Sequence, residues 1–217
     1  MKKLLLIIML STGIISCNKE QSLQTTPNSE NQSITRGYPR TRNYLISNCS
    51  DVYGNGYIYP ASNNDMERIW HNESEFSNSN FAWTMEYIGD GLVKFWMQKG
   101  KGWFERQRVL DVDWRHPKSD GSVNAVVYEL HGGPCQRWEL IGAKTANNGV
   151  IEYFRGVMVN NYTGQMLELT DNGRYAFAIA RGLYKGSDEE KYYQKHGNFN
   201  NYCYGGRSTI WTIERWD

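Results

Sequence analysis

Asp111 and Asp113 stand two residues apart, which places both carboxylates on one face of an extended segment. Paired carboxylates of this kind serve glycoside hydrolysis. Asp113 leads into Trp114 and Pro117, however, and that composition predicts a solvated turn. The chain has no Gly-x-Ser-x-Gly, no His-Glu-x-x-His and no phosphate loop. His131-Gly132-Gly133 has the composition of an oxyanion-hole turn, but without a nucleophile elbow it reads as a tight hairpin before Gln136. His71, His116 and His196 fall in separate loops, and Asp188-Glu189-Glu190-Lys191 reads as a solvated face. The expectation is a protein that is not an enzyme and needs no cofactor.

The four cysteines show no zinc-ligand spacing and no C-x-x-C. Cys17 follows a segment with three zones: basic Lys2 and Lys3, the apolar run Leu4 to Leu10, and the small or apolar residues Ser11 to Ser16. That order is a secretory signal. The apolar run is far shorter than the roughly 20 residues of a membrane-spanning helix. Ile14-Ile15-Ser16-Cys17 resembles the lipobox of bacterial lipoproteins. The resemblance implies cleavage of residues 1–16 and a lipid on Cys17, holding the chain to a membrane of the bacterial cell envelope. Residues 17–42 are rich in Asn, Gln, Ser, Thr and Glu and read as a flexible tether. Export permits disulfides. Cys49, Cys135 and Cys203 remain, so at most one internal bridge forms, and Cys135–Cys203 is the expected one.

Residues 43–217, about 180 in number, suit one domain. Removing Lys2 and Lys3 changes the formal charge from +1 to −1, and no basic block gives a footprint for nucleic acid. With 15 Tyr and 8 Trp, aromatic residues supply a core and have rings to spare for a sugar- or protein-binding surface.

The elements that position these residues repeat three times. Trp83-Thr84-Met85-Glu86 matches Trp211-Thr212-Ile213-Glu214, and Trp138-Glu139-Leu140 is a degenerate middle copy. Gly91-Leu92-Val93-Lys94-Phe95-Trp96 matches Gly149-Val150-Ile151-Glu152-Tyr153-Phe154. A second strand cue lies at nearly constant spacing from an opening aromatic: Ile58 after Tyr44, Asp111 after Phe95, Glu168 after Tyr153. A third cue, aliphatic then aromatic, follows as Ile69-Trp70, Val127-Tyr128 and Leu183-Tyr184. Each unit therefore reads as four short strands separated by Gly, Asn and Asp turns. The expected fold is all-β: three four-strand repeats, about 43–90, 91–148 and 149–217, closed with pseudo-threefold symmetry so that no edge is exposed. One short helix is expected in 187–195.

Leu110-Asp111-Val112, then Val127-Tyr128, then Gln136-Arg137-Trp138 resembles the ricin B-type β-trefoil lectin repeat with its Gln-x-Trp signature. The signature is complete only in unit two; unit one has Phe81-Ala82-Trp83 and unit three Thr209-Ile210-Trp211. The resemblance implies that the three tryptophans are core. It also implies a sugar pocket built from a carboxylate, an aromatic platform and an amide, here Asp111, Tyr128 and Gln136. In unit three it implies Glu168 and Tyr184, with the insertion 185–208 beside them. In unit one Ile58 stands where the acid belongs. The expected partner is a glycan, bound mainly through unit two. The alternative is a protein-binding trefoil with decayed sugar sites, as in toxin assemblies such as cytolethal distending toxin, using an aromatic surface from Tyr192-Tyr193 to Tyr204.

Overall fold

The computed structural model describes residues 43–50, 52–54, 56–62, 64–72, 82–97, 108–145, 151–202 and 208–216, all within the unit 34–217. The expectations for the signal segment, Cys17, the tether and Cys203 fall outside the described residues. Within them the fold is all-β save for one α-helix and a short 3-10 turn, with thirteen strands joined in a single sheet. No described helix is long and apolar enough to cross a membrane.

Six strands pair in a circuit. β1 (Asn43–Asn48) pairs β4 (Trp83–Gly89), and β4 pairs β5 (Leu92–Met97). β5 pairs β8 (Trp138–Ile141), and β8 pairs β10 (Ile151–Asn160), whose first residues pair β9 (Lys144–Thr145). β10 pairs β13 (Trp211–Trp216), and β13 returns to β1. Three hairpins complete the molecule: β2 (Tyr57–Pro60) with β3 (Glu67–Asn72), β6 (Arg108–Val112) with β7 (Val123–Glu129), and β11 (Gln165–Asp171) with β12 (Ala176–Leu183). Their second strands meet one another, β3 with β7, β7 with β12 and β12 with β3.

The tryptophans set the register. Trp83 faces Tyr44 on one side and Met97 on the other; Trp138 faces Val93 and Asn160; Trp211 faces Gly156 and Asn48. All three rings are buried, and each indole N–H reaches into a hairpin to donate to a main-chain carbonyl. Trp83 reaches Ile58 at 3.0 Å, Trp138 reaches Leu110 at 3.2 Å and Trp211 reaches Leu167 at 2.8 Å. An indole buried without a partner for its N–H loses the hydrogen bond it had in water, so this repeated bond specifies where each hairpin sits. The core role expected of these residues is what the structure shows.

The indole bonds also correct the sequence alignment. Ile58, Leu110 and Leu167 are equivalent, so the position matching Asp111 and Glu168 is Tyr59 in unit one, one residue past Ile58. In the circuit the equivalent buried triplet is Ile46, Phe95 and Met158; Tyr153 is 47% exposed and is not the counterpart of Phe95. Types alternate along a strand, and a slip of one residue exchanges the two faces.

The helix α1 (Asp188–His196) lies where expected, with Ser187 as its N-cap accepting from Glu190 N. The acidic run is not wholly solvated: Glu189 is buried and accepts from the Thr209 hydroxyl at 2.9 Å. Tyr192, Tyr193, Phe199 and Tyr202 pack on one another and on Val157, Met166 and Ile210 as a second, smaller core. The aromatic residues expected to face a protein partner are thus largely spent on holding the insertion down.

Candidate functional site

The β6–β7 hairpin carries the unit-two residues. Asp111 opposes Val126 and Val109 opposes Tyr128, so Asp111 and Tyr128 share one face. The loop after β7 runs through Leu130 and His131 and turns back at Gly132, whose φ of +72° favours glycine. Pro134–Gln136 then forms the 3-10 turn that brings Cys135 and Gln136 inward.

Gln136 is fully buried and its amide is saturated. Its Nε2 donates to Asp111 Oδ2 and to the Glu129 carbonyl, both at 2.9 Å. Its Oε1 accepts from the backbone N–H of His131 at 3.1 Å and of Gly132 at 3.2 Å. A side-chain amide has two donors and an acceptor oxygen with two lone pairs. Gln136 therefore has nothing left for a ligand; it is a positioning residue that ties loop, hairpin and carboxylate together. The N–H groups that a His-Gly-Gly turn would aim at an oxyanion are the ones Gln136 consumes.

Asp111 lies at the base of this arrangement, 3% exposed. Oδ1 accepts from Val112 N at 2.6 Å, and Oδ2 accepts from Gln136 and contacts His131 Nε2 at 3.0 Å. His131 Nδ1 accepts from Gly133 N at 3.1 Å, which leaves the imidazole proton on Nε2, where it is donated to Asp111. The His131 side chain is 34% exposed, and its ring meets Tyr128 edge to face with centroids 5.8 Å apart. Cys135 Sγ approaches the same His131 Nε2 at 3.7 Å. Both Asp111 and Cys135 thus face one ring nitrogen, whereas a nucleophile–base–acid relay needs them on opposite nitrogens. Asp113 pairs with exposed His116 at 2.8 Å.

Unit three is built differently. The counterpart of Tyr128 is Arg181, opposite Met166, rather than Tyr184. Arg181 binds Glu168 at 3.0 Å and Asp120 at 3.2 Å, so the expected carboxylate is taken up by a guanidinium where a platform would be. Burial pushes the Glu168 carboxyl above its usual range, and Arg181 works against that shift. Tyr184 lies past the end of β12, packed on the second core, and burial pushes its phenol up to about 12, helped by Glu190. The structure does not bring Glu168 and Tyr184 together as a carboxylate under a ring. In unit one Asn72 stands at the platform position.

Sequence reasoning missed two features. One is the trio Asp111, His131 and Cys135, whose ligand atoms all lie within 4.8 Å of one another. The other is a pair of buried asparagine clamps at equivalent strand ends. Asn160 Nδ2 donates to the Cys135 carbonyl at 2.7 Å, and Asn48 Nδ2 to the Ser208 carbonyl at 2.8 Å. The shared indole register is the signal that would have found the second pair.

No protein-family model matches the chain, and no curated protein matches its sequence. Among solved structures it is similar to a designed threefold-symmetric protein, ThreeFoil, with a TM-score of 0.51 and 16% identity over 81% of this chain and 98% of that one. It is also similar to part of a mosquitocidal holotoxin, with a TM-score of 0.51 and 17% identity over 81% of this chain, which spans 17% of the toxin's length. At such identities the likeness is one of fold: the chain is an all-β protein whose structural neighbours include a designed trefoil of threefold symmetry.

Proposed function

We propose that the chain is a lipid-anchored carbohydrate-binding module of bacterial envelope type, a trefoil of three four-strand repeats whose sugar site lies on the second. One observation carries the binding reading: Asp111, Tyr128 and His131 converge on one hairpin face, held there by a saturated Gln136. A carboxylate accepts hydrogen bonds from adjacent sugar hydroxyls, and an aromatic ring covers the apolar C–H face of a pyranose. A hydroxyl reaches Asp111 by replacing the His131 contact as that half-exposed ring turns outward. The anchor rests on the sequence of residues 1–17.

The test is a multivalent display of the domain on a glycan array, since single sites of this kind bind weakly and gain from avidity. Asp111→Asn and Tyr128→Ala should each lower retention of the bound glycan at least tenfold, and Glu168→Gln should leave it unchanged. Wild-type display that retains no glycan sinks the reading. A second reading stands beside it: Glu168 is taken up by Arg181, so unit three offers no free carboxylate to a sugar, as in a protein-binding trefoil with decayed sugar sites. A negative array together with a defined co-purifying protein supports that alternative.

A further inference from the structure

We infer that Asp111, His131 and Cys135 form a zinc site with one coordination position open, a reading that does not depend on sugar binding. When bound, the metal holds His131 against Asp111 so that no sugar hydroxyl displaces it. The donors are one carboxylate oxygen, one imidazole nitrogen and one sulfur, drawn from two segments far apart in sequence. Oδ2 of Asp111 lies 3.0 Å from Nε2 of His131, Sγ of Cys135 lies 3.7 Å from the same nitrogen, and the three atoms sit within 4.8 Å of one another. Zinc bonds of about 2.0–2.3 Å in a tetrahedron put neighbouring ligand atoms roughly 3.3–3.8 Å apart. The Nε2–Oδ2 and Nε2–Sγ separations are close to that spacing, and Oδ2 and Sγ, within 4.8 Å of each other, draw together on loading. A mixed O, N and S donor set suits a borderline-soft ion; magnesium and calcium prefer oxygen alone.

Supporting contacts around Asp111 and Cys135 are already in place. Gln136 orients the Asp111 carboxylate, Asn160 holds the Cys135 carbonyl, and Arg137 Nη2 holds the Gly132 carbonyl at 2.8 Å. Such outer hydrogen bonds fix ligand geometry and are costly to lose in metal sites. Asp111 and Cys135 are buried while the His131 side chain is partly exposed, so the fourth position points to the solvent side, beside Tyr128. One contact changes on loading. Zinc on Nε2 moves the imidazole proton to Nδ1, so the Gly133 N–H contact there opens. The site uses the thiolate of Cys135; the sequence-based Cys135–Cys203 bridge and this site exclude each other.

The experiment is cobalt(II) titration of the full chain, purified metal-free in the absence of glycan, followed by zinc displacement. We expect one equivalent to bind with tetrahedral visible bands and a thiolate-to-cobalt charge-transfer band in the near ultraviolet, both lost when zinc is added. Cys135→Ser should erase the charge-transfer band. His131→Gln, at a partly exposed position, should weaken cobalt affinity at least tenfold while leaving the far-ultraviolet circular dichroism of the fold unchanged. Absence of the charge-transfer band in the wild type, binding unaltered in both variants, or a mapped Cys135–Cys203 bridge in the isolated chain overturns the assignment.

Discussion

Gln136 shows how a residue recognised from a motif can differ in role from what the motif implies. Its four hydrogen bonds are all internal, so replacing it strands the N–H groups of His131 and Gly132 and leaves Asp111 with one donor fewer. Buried polar groups deprived of partners cost about 1–3 kcal/mol each, so Gln136→Ala should destabilise the domain by roughly 3 kcal/mol in equilibrium urea unfolding. A loss below about 1 kcal/mol would contradict this bonding scheme. Tyr184 gives a second prediction. Its phenol titrates at about 12, above the ordinary 10.0, because burial disfavours the phenolate. A folded-state pKa raised in this way contributes stability that is complete below pH 10 and is lost as pH rises through 12. Spectrophotometric titration of tyrosinate should lose one high-pH ionisation, near 12, in Tyr184→Phe relative to the wild type. That Asp111 and Tyr128 share one face of a hairpin was legible because the Gln-x-Trp signature is complete in their unit. His131 and Cys135 were not: as ligands they join a turn to a distant strand, and only the folded hairpin brings the two together.

Among the elements, the hairpins were easier to read than their registers. The sequence cues fell in β2, β3, β6, β7 and β11, where alternating apolar residues and turn residues agree. In register they failed twice: Ile69-Trp70 stops two residues short of the platform position, which is Asn72, and Leu183-Tyr184 lies past it, the platform position there being Arg181. The helix α1 was legible from its own chemistry. Ser187 caps it, Asp188, Glu189 and Glu190 occupy its first turn, and Gly197 ends it in the left-handed region. Ser187→Ala removes the bond to Glu190 N at 3.0 Å and should cost about 1 kcal/mol. Amide hydrogen exchange should accelerate within 188–196 and stay unchanged in β6 and β7. Exchange rising equally in all three elements would mean that the helix is not a separable unit.

At the scale of the molecule, threefold order is strict at the tryptophans and broken where space demands it. Gly156 occupies the position of Tyr44 and Val93, yet a Cβ there would collide with the Ile141 carbonyl oxygen. Gly156→Ala must therefore part β8 from β10 and should cost about 3 kcal/mol, the upper range for overpacking, read as a lowered urea midpoint. An unchanged midpoint would mean that the strands separate freely at this point. The pairing of Asn43–Asn48 with Trp211–Trp216 has a further consequence for how the chain comes into being. A polypeptide emerging in order presents β1 with β4 early but long before β13, its more extensive partner, and the circuit stays open until β13 is made. Closure by such distant segments is slow, because entropy is lost before the contacts form. Until β13 is made, local hairpins such as β4–β5 and β6–β7 can form, but the circuit that buries their shared core cannot close.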